Sequence, residues 1–379
     1  MTDGPVVVAA LRTPVGTAGR SLAHLTAADL AAPVLAALAA APQVRAAGRV
    51  SEVVLGNCMG PGGDLARVAA LQAGLGVDVP ALTVDRQCAS GLAAVVSGVA
   101  ALAQQPGVVL AGGVESASTA PWRFWPPTDG GEPVRYERAP FAPASVGDPD
   151  MGLANDLWAE ARGVGREAQD EYAARSHARA SAAQDEGRFD AELVAVDGVA
   201  VDDRPRKGLT VERLARLRPA FRPSGSVTAG NACGVNDGAA AVALVDAETH
   251  RRTGGAGLRV VATATAACDP NEPGYGLVPA SRLALERAGL SLDDLDVVEL
   301  NEAFAGQVLA CCAELGLDPR RVCPEGGALA LGHPWGASGA VLLVRLFSQL
   351  VRRDGGRRGL AAIAAGGGQG VAVVVEVVR

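Results

Sequence analysis

The sequence predicts a layered α/β protein built from a duplicated unit, and three observations predict it. Short β-branched runs alternate with Ala/Leu-rich stretches of helical length, the pattern of strands joined by crossover helices. That order occurs twice in the 379 residues, once in the first third and once in the last. The 48 glycines and 3% aromatic residues allow the close backbone approach that stacked layers need.

Residues 6–10 read as a strand, followed by the loop TPVG at 13–16 and an Ala/Leu-rich helix over 27–40. A second strand covers 50–55, a glycine loop 60–63 and a helix 65–73. Cys88 precedes a helical run at 91–103, and the strand 108–111 closes at Gly112 and Gly113. The last third repeats the plan: strand 259–264, helix 280–288, strand 297–300, helix 304–314, a glycine-rich loop around His333, helix 340–351 and strand 360–364. The C-terminal run 371–378 has the length and β-branched composition of a buried strand. The triplets Ala89, Ser90, Gly91 and Ala337, Ser338, Gly339 mark equivalent helices in the two halves. Between the halves, residues 121–225 hold three of the four tryptophans and many prolines and arginines, which reads as an insertion covering a site. Residues 156–187 have helical charge patterning, and the Gly/Asn-rich 225–238 reads as a loop returning to the first half.

A net charge of −7 argues against nucleic acid as a partner, because phosphate binding needs concentrated positive charge. Apolar runs are interrupted before the ~18 residues of a membrane span, so no membrane association is expected. Seven cysteines without CxxC pairs, in a sequence showing no secretory signal pattern, point to the cytoplasm and give no metal-ligand spacing. Lys207 is the sole lysine, leaving Schiff-base chemistry almost no candidate.

Two stretches carry chemistry. GGALALGHPWGASGA at 326–340 sets His333 on a tight loop, and VDRQCASGLAAV at 84–95 sets Cys88 just before a helix with no charge in its first turns. The partial positive charge of a helix N-terminus is expected to hold the thiol below about 8.5, making Cys88 a nucleophile able to accept an acyl group from a thioester. His333 can serve as its base. A small buried hydrophobe is the other reading of an unpaired cysteine, and the local sequence leaves both open. Asn301 follows a strand end, where its amide can be aimed at a pocket. His24 and His250 sit in polar, turn-like surroundings, and His177 is expected exposed on a charged helix. Cys58, Cys268, Cys311 and Cys312 are expected in the core.

With ALRTPVG at 10–16, VVLAGGVES at 108–116, SVTAGNACGVNDGAAAV at 226–242 and ELNEAFAGQ at 299–307, these motifs resemble the thiolase family over nearly the whole chain. Members make or break the carbon–carbon bond of 3-oxoacyl-thioesters by Claisen chemistry. The resemblance implies the thiolase fold, two βαβαβαββ halves forming a five-layered αβαβα sandwich. It divides the chain into an N-terminal half of residues 1–118 plus 236–254, a loop domain at 119–235 and a C-terminal half at 255–379. It implies Cys88 as nucleophile, His333 as base, Asn301 holding a water that stabilises an oxyanion, and Gly366 lending a backbone N–H to a second oxyanion hole. Coenzyme A and substrate would meet Arg206, Cys233, Met151 and Phe304, with Arg204 and Lys207 adding charge for the phosphates. It further implies acyl-CoA substrates, no permanent cofactor or metal, and a homodimer or homotetramer paired through the first half's sheet edge.

One departure stands out. The family usually carries Cys-x-Gly where this chain has Ala364, Ala365 and Gly366, and a methyl group cannot shuttle the α-proton of the second substrate. Such assistance is worth about a hundred- to ten-thousandfold. Acylation of Cys88 is expected to survive, with transfer to a non-CoA nucleophile or a decarboxylative condensation as alternatives, and a noncatalytic acyl-CoA-binding or partner-binding subunit as the rival. Cys233, where the family usually has serine, and Cys323, where it often has asparagine, are the candidate surrogates. Pro273, Leu277, Val114 and Ala117 depart from the family's acyl-pocket pattern. Acyl chain length, acceptor and direction stay open.

Overall fold

The computed structural model describes residues 4–379; the first three residues of the expected N-terminal half lie outside them. Twelve strands are formed among the described residues: β1 Val6–Arg12, β2 Gly16–Thr17, β3 Val50–Gly56, β4 Ala81–Val84, β5 Val108–Ser116, β6 Arg123–Trp125, β7 Val134–Tyr136, β8 Asn236–Val245, β9 Gly257–Ala267, β10 Val297–Leu300, β11 Arg358–Ala365 and β12 Gln369–Val378. The N-terminal half orders its strands β4-β3-β5-β8-β1 and the C-terminal half β9-β12-β11-β10. β3 runs parallel to β4 and β5, and β10 parallel to β11, while β8 and β12 return antiparallel. A two-residue seam, Val6 and Val7 of β1 against Arg259 and Leu258 of β9, joins the halves into one hydrogen-bonded sheet.

Alternation along the strands builds the layers, because successive side chains point to opposite faces. On β8, Ala240, Val242 and Leu244 face the middle core, while Ala239, Ala241, Ala243 and Val245 face the core under the helices Ala27–Ala40 and Leu65–Gln72. On β12, Val371, Val373 and Val375 face the same middle core, and Ala372 and Val374 face the helices Leu277–Ala288 and Ala305–Leu315. Burying each valine or leucine side chain contributes roughly 1.5–3 kcal/mol. The middle core is filled by the helices Ser90–Gln104 and Trp335–Phe347. Their contact is a glycine crossing: a methyl on Gly91 would overlap Gly336 O and Ala340 N, and one on Gly339 would overlap Leu92 N. The two Ala-Ser-Gly triplets thus face each other across the interface between the halves.

Several boundaries differ from expectation for identifiable reasons. β5 continues through its glycines to Ser116, because those positions lack the Cβ that would strike Ala240 O and Gly336 O. The last central helix starts at Trp335, not near 340, since Pro334 sits at its N-cap and the glycines that suggested a loop serve helix packing. β4 and β8 escaped notice: one is only four residues long, and the other begins inside a segment read as loop. The segment Gln87–Gln104 is long and apolar enough to cross a membrane, at 18 residues and mean hydropathy 1.3, contrary to the sequence reading. Half of it is buried in the protein, between the sheets, which is the place of a core helix.

The inserted segment contributes the hairpin β6-β7 and the helices Met151–Ala161 and Arg166–Asp185. Charge fastens it down. Arg12 of β1 donates to Glu192 and Asp202 of the insert at 2.8 and 2.7 Å, and Arg345 of the second central helix pairs with Glu192 and Glu325, all buried.

Candidate active site

Cys88 follows β4 on a sharp turn into the central helix. Gln87 takes a left-handed conformation at φ 48°, and its carbonyl accepts from Ser90 Oγ at 2.6 Å and from the Cys58 thiol at 3.0 Å. Ser90 Oγ in turn accepts the Arg86 N–H at 2.7 Å. A non-glycine residue in this region stores about 1–3 kcal/mol, which the surrounding bonds must hold. Cys58 therefore supports the nucleophile turn and is only half-buried, correcting its expected place in the core. Glu115, buried on β5, ties the same corner together by accepting from Met59 N, Gly336 N and Asn57 Nδ2 at 2.9–3.1 Å. Within VVLAGGVES the sequence carries no local signal for that role of Glu115, whose partners come from separate segments of the chain.

The backbone N–H groups of Cys88 and of Gly366 lie near enough to the Cys88 sulfur to favour its thiolate. Gly366 follows β11, and a side chain there would overlap the Phe141 ring, which the insert lays over this loop. Phe141 is fixed by its N–H to Asp148 Oδ1 at 3.1 Å and by Arg138, which stacks on the ring and pairs with Asp148. Nothing in the local sequence marked Phe141.

The expected low thiol pKa is not found. Burial pushes the Cys88 thiol up to about 12, the neighbouring Cys233 adds to the rise, and the two N–H groups offset it only in part. Desolvation of the charged sulfur outweighs the helix terminus.

His333 is buried, at 2% exposure, with its backbone N–H on Asn236 Oδ1 at 2.9 Å. Ser338 Oγ donates to Pro334 O at 2.9 Å and lies 2.6 Å from His333 Nδ1. With the single serine proton on the carbonyl, Nδ1 carries the imidazole proton and Nε2 keeps its lone pair, the tautomer that a base at Nε2 requires. Nε2 is buried without a partner. Burial pushes the imidazole down to about 3, so it is neutral at pH 7 and can accept a proton. His333 and Cys88 occupy the adjoining N-terminal ends of the two central helices, which meet at Gly91 and Gly336.

Asn301 ends β10 with its N–H on Ala362 O at 3.0 Å, and its Oδ1 is a second buried atom without a partner. Glu302 is no free acid: it accepts from Tyr172 at 2.8 Å, Ser176 at 2.7 Å and Leu329 N at 3.2 Å, tying the insert to the His333 loop. Phe304 packs on Val227 and Ala232 and lies edge-on to Phe221, whose ring also covers Gly152 beside Met151. Cys233 donates its N–H to Ala303 O at 2.9 Å, so its loop lies against the Asn301 box. Cys323 is remote from such use, buried with its thiol on Leu300 O at 3.2 Å.

Arg206 is exposed, and its N–H donates to His177 Nδ1 at 3.2 Å. His177 is buried, not exposed as expected, and burial together with Arg204 and Arg206 pushes it down to about 4. The helix face carrying it packs inward despite its charged neighbours. Lys207 pairs with Asp185 at the surface. Among the described residues no cluster of His, Cys, Asp and Glu could hold a metal ion.

Two family descriptions match the chain: the thiolase N-terminal domain over residues 5–248 and the thiolase C-terminal domain over residues 256–377. An acetyl-CoA acetyltransferase of Pseudomonas aeruginosa is 44% identical over 391 residues, covering 98% of each chain. The crystal structure of the Bacillus anthracis acetyl-CoA acetyltransferase superposes with a TM-score of 0.91 at 37% identity, covering 99% of both chains. That of human mitochondrial 3-ketoacyl-CoA thiolase in complex with CoA gives 0.90 at 36% identity, covering 100% of this chain and 98% of the other. With both domains matched along almost its full length and relatives of this identity, the chain belongs to the thiolase family.

Proposed function

We propose that the protein is an acyl-CoA C-acyltransferase that loads an acyl group from coenzyme A onto Cys88 and passes it to a second acyl-CoA, forming or cleaving a 3-oxoacyl-CoA. The observation that carries this reading is the meeting of the Cys88 and His333 helix ends at Gly91 and Gly336, with the Cys88 and Gly366 N–H groups near enough to the sulfur to favour its charge. An acyl group on that sulfur brings its carbonyl oxygen to the same donors, which stabilise the charge that develops there in the transition state. His333 Nε2 takes the thiol proton as the sulfur attacks, since thiol and imidazole are both neutral at rest. Asn301, buried with an unpartnered Oδ1, holds the water that serves the thioester oxygen of the incoming coenzyme A ester. Arg206, exposed on the insert, supplies positive charge for its phosphates, with Met151 and Phe304 at the acyl end.

Incubation with a panel of acyl-CoAs followed by intact mass measurement tests the reading. It requires a mass gain of one acyl group that disappears in Cys88→Ala; no gain with any acyl-CoA supports the noncatalytic alternative. Ala364 favours a second reading of the transfer step, an acceptor that needs no α-proton removed, such as a decarboxylating extender or a non-CoA nucleophile. Assembly as a homodimer through β4 accords with its edge position and with Leu82, which is 47% exposed. Seven unpaired cysteines support a cytoplasmic location.

A further inference from the structure

The replacement at Ala364 leaves the condensation half of the reaction without its usual proton shuttle, and the structure offers one group in its place. Besides Cys88, the described cysteines to weigh are Cys58, Cys233, Cys323 and Cys268, the last lying beside Gly368 with its thiol on Glu272 O at 3.5 Å. Cys58 spends its thiol on Gln87 O at 3.0 Å, and Cys323 spends its own on Leu300 O at 3.2 Å. Cys233 makes no such bond. Its loop is pinned to the Asn301 box by the Cys233 N–H on Ala303 O at 2.9 Å and by the pairing of Ala232 with Phe304. Its sulfur lies close enough to Cys88 for its charge to raise the Cys88 thiol.

Arg204 supplies the second half of the device. Its guanidinium runs along Gly234 and donates to Leu329 O and Ala232 O, both at 3.2 Å, and among the described residues it forms no ion pair. It packs against Gly234, the neighbour of Cys233, and its charge favours the thiolate, while burial still pushes the Cys233 thiol up to about 12.

We propose that Cys233, with Arg204 beside it, performs the proton transfer at the α-carbon of the second acyl-CoA that position 364 cannot perform. This rests on the acyltransferase reading above. In the first half-reaction the Cys88 proton passes to His333 as the sulfur attacks the thioester. The C–S bond to coenzyme A breaks, and the departing thiolate takes the proton from His333 and leaves as the free thiol. Cys233 and His333 are then both neutral, and His333 takes the Cys233 proton in step with removal of the α-proton. In the second half-reaction Cys233 takes a proton from the α-carbon of the second acyl-CoA. That carbon attacks the acyl carbonyl, the C–S bond to Cys88 breaks, and the Cys88 thiolate recovers its proton from His333. Every group returns to its starting state, and one acyl group has moved from coenzyme A to carbon.

The test separates loading from carbanion formation. Acyl transfer to Cys88 is followed by mass, and α-proton removal by exchange of the acetyl-CoA methyl protons in deuterated water, for the wild type and for Cys233→Ala, Cys233→Ser and Cys233→Ala/Ala364→Cys. The expected result is that exchange falls by about a hundredfold or more relative to loading in Cys233→Ala, and that the added cysteine at 364 restores it. Unaltered exchange in Cys233→Ala overturns this inference alone, as does a wild type that loads Cys88 yet exchanges no α-proton. Equal loss of loading and exchange in both Cys233 variants, unrelieved by the cysteine at 364, also overturns it by making Cys233 structural. A wild type that never loads Cys88 overturns the acyltransferase reading and this inference together.

Discussion

At the scale of single residues, the proposed nucleophile and base are both neutral. Because the Cys88 thiol is pushed up to about 12 and the His333 imidazole down to about 3, neither titrates between pH 5.5 and 8.5. The burst of coenzyme A release that reports acylation is therefore expected to change less than about threefold across that range; an inflection near the ordinary histidine value of about 6.5 would show His333 charging instead. The Ser338 hydroxyl decides which imidazole nitrogen is free, so Ser338→Ala is expected to slow acylation about a hundredfold, within the range seen for partners that orient a histidine. Rapid-quench acylation kinetics read it, and a variant with the wild-type rate would show that the tautomer is set elsewhere. The types of these residues were legible in the sequence: a cysteine before an apolar helix, a histidine among glycines, an asparagine at a strand end. Their ionisation was not, since it depends on how many protein atoms replace water around each group, and those atoms come partly from remote segments such as Asn236 on His333.

At the scale of elements, close approaches govern the geometry. The helix Trp335–Phe347 brings Gly336 O so near β5 that Gly113→Ala would overlap it. Overpacking of this kind typically costs about 1–3 kcal/mol, which urea denaturation should register as a lower midpoint with an unchanged slope. At Gly366 a methyl would strike Phe141, displacing the N–H that lies near the Cys88 sulfur. Gly366→Ala is thus expected to reduce acylation by about a hundredfold, the scale of a lost oxyanion donor. Adding Phe141→Ala should recover part of the loss, and a double variant no better than the single would place the damage in the backbone. Strands and helices over 27–40, 50–55 and 297–300 were readable because their periodicity is local. β4 was too short to show a period, and the helix start at Trp335 was hidden by glycines whose purpose is contact with another helix.

Across the whole molecule, the insert and the two halves are held by a buried ionic network. Burial pushes the Glu192 carboxyl up, but Arg345 and Arg12 outweigh it and hold it below its ordinary value. Its contribution to stability is complete above the unfolded-state value of about 4.3 and is lost as pH falls through the lower folded-state value. Glu192→Gln leaves two buried guanidinium groups short of charge and is expected to cost about 3–5 kcal/mol at pH 7, measured by chemical denaturation; a cost under about 1 kcal/mol would mean the network is screened by water. Residue order and composition alone were enough to specify the layers, the duplicated unit and, through the motifs, the family, because periodicity, glycine placement and motif spacing are written along the chain. Which cysteine neighbours the nucleophile, which aromatic ring seals Gly366 and which way each titrating group shifts came from folding. Those properties are sums over neighbours from remote parts of the chain, and no local stretch contains them.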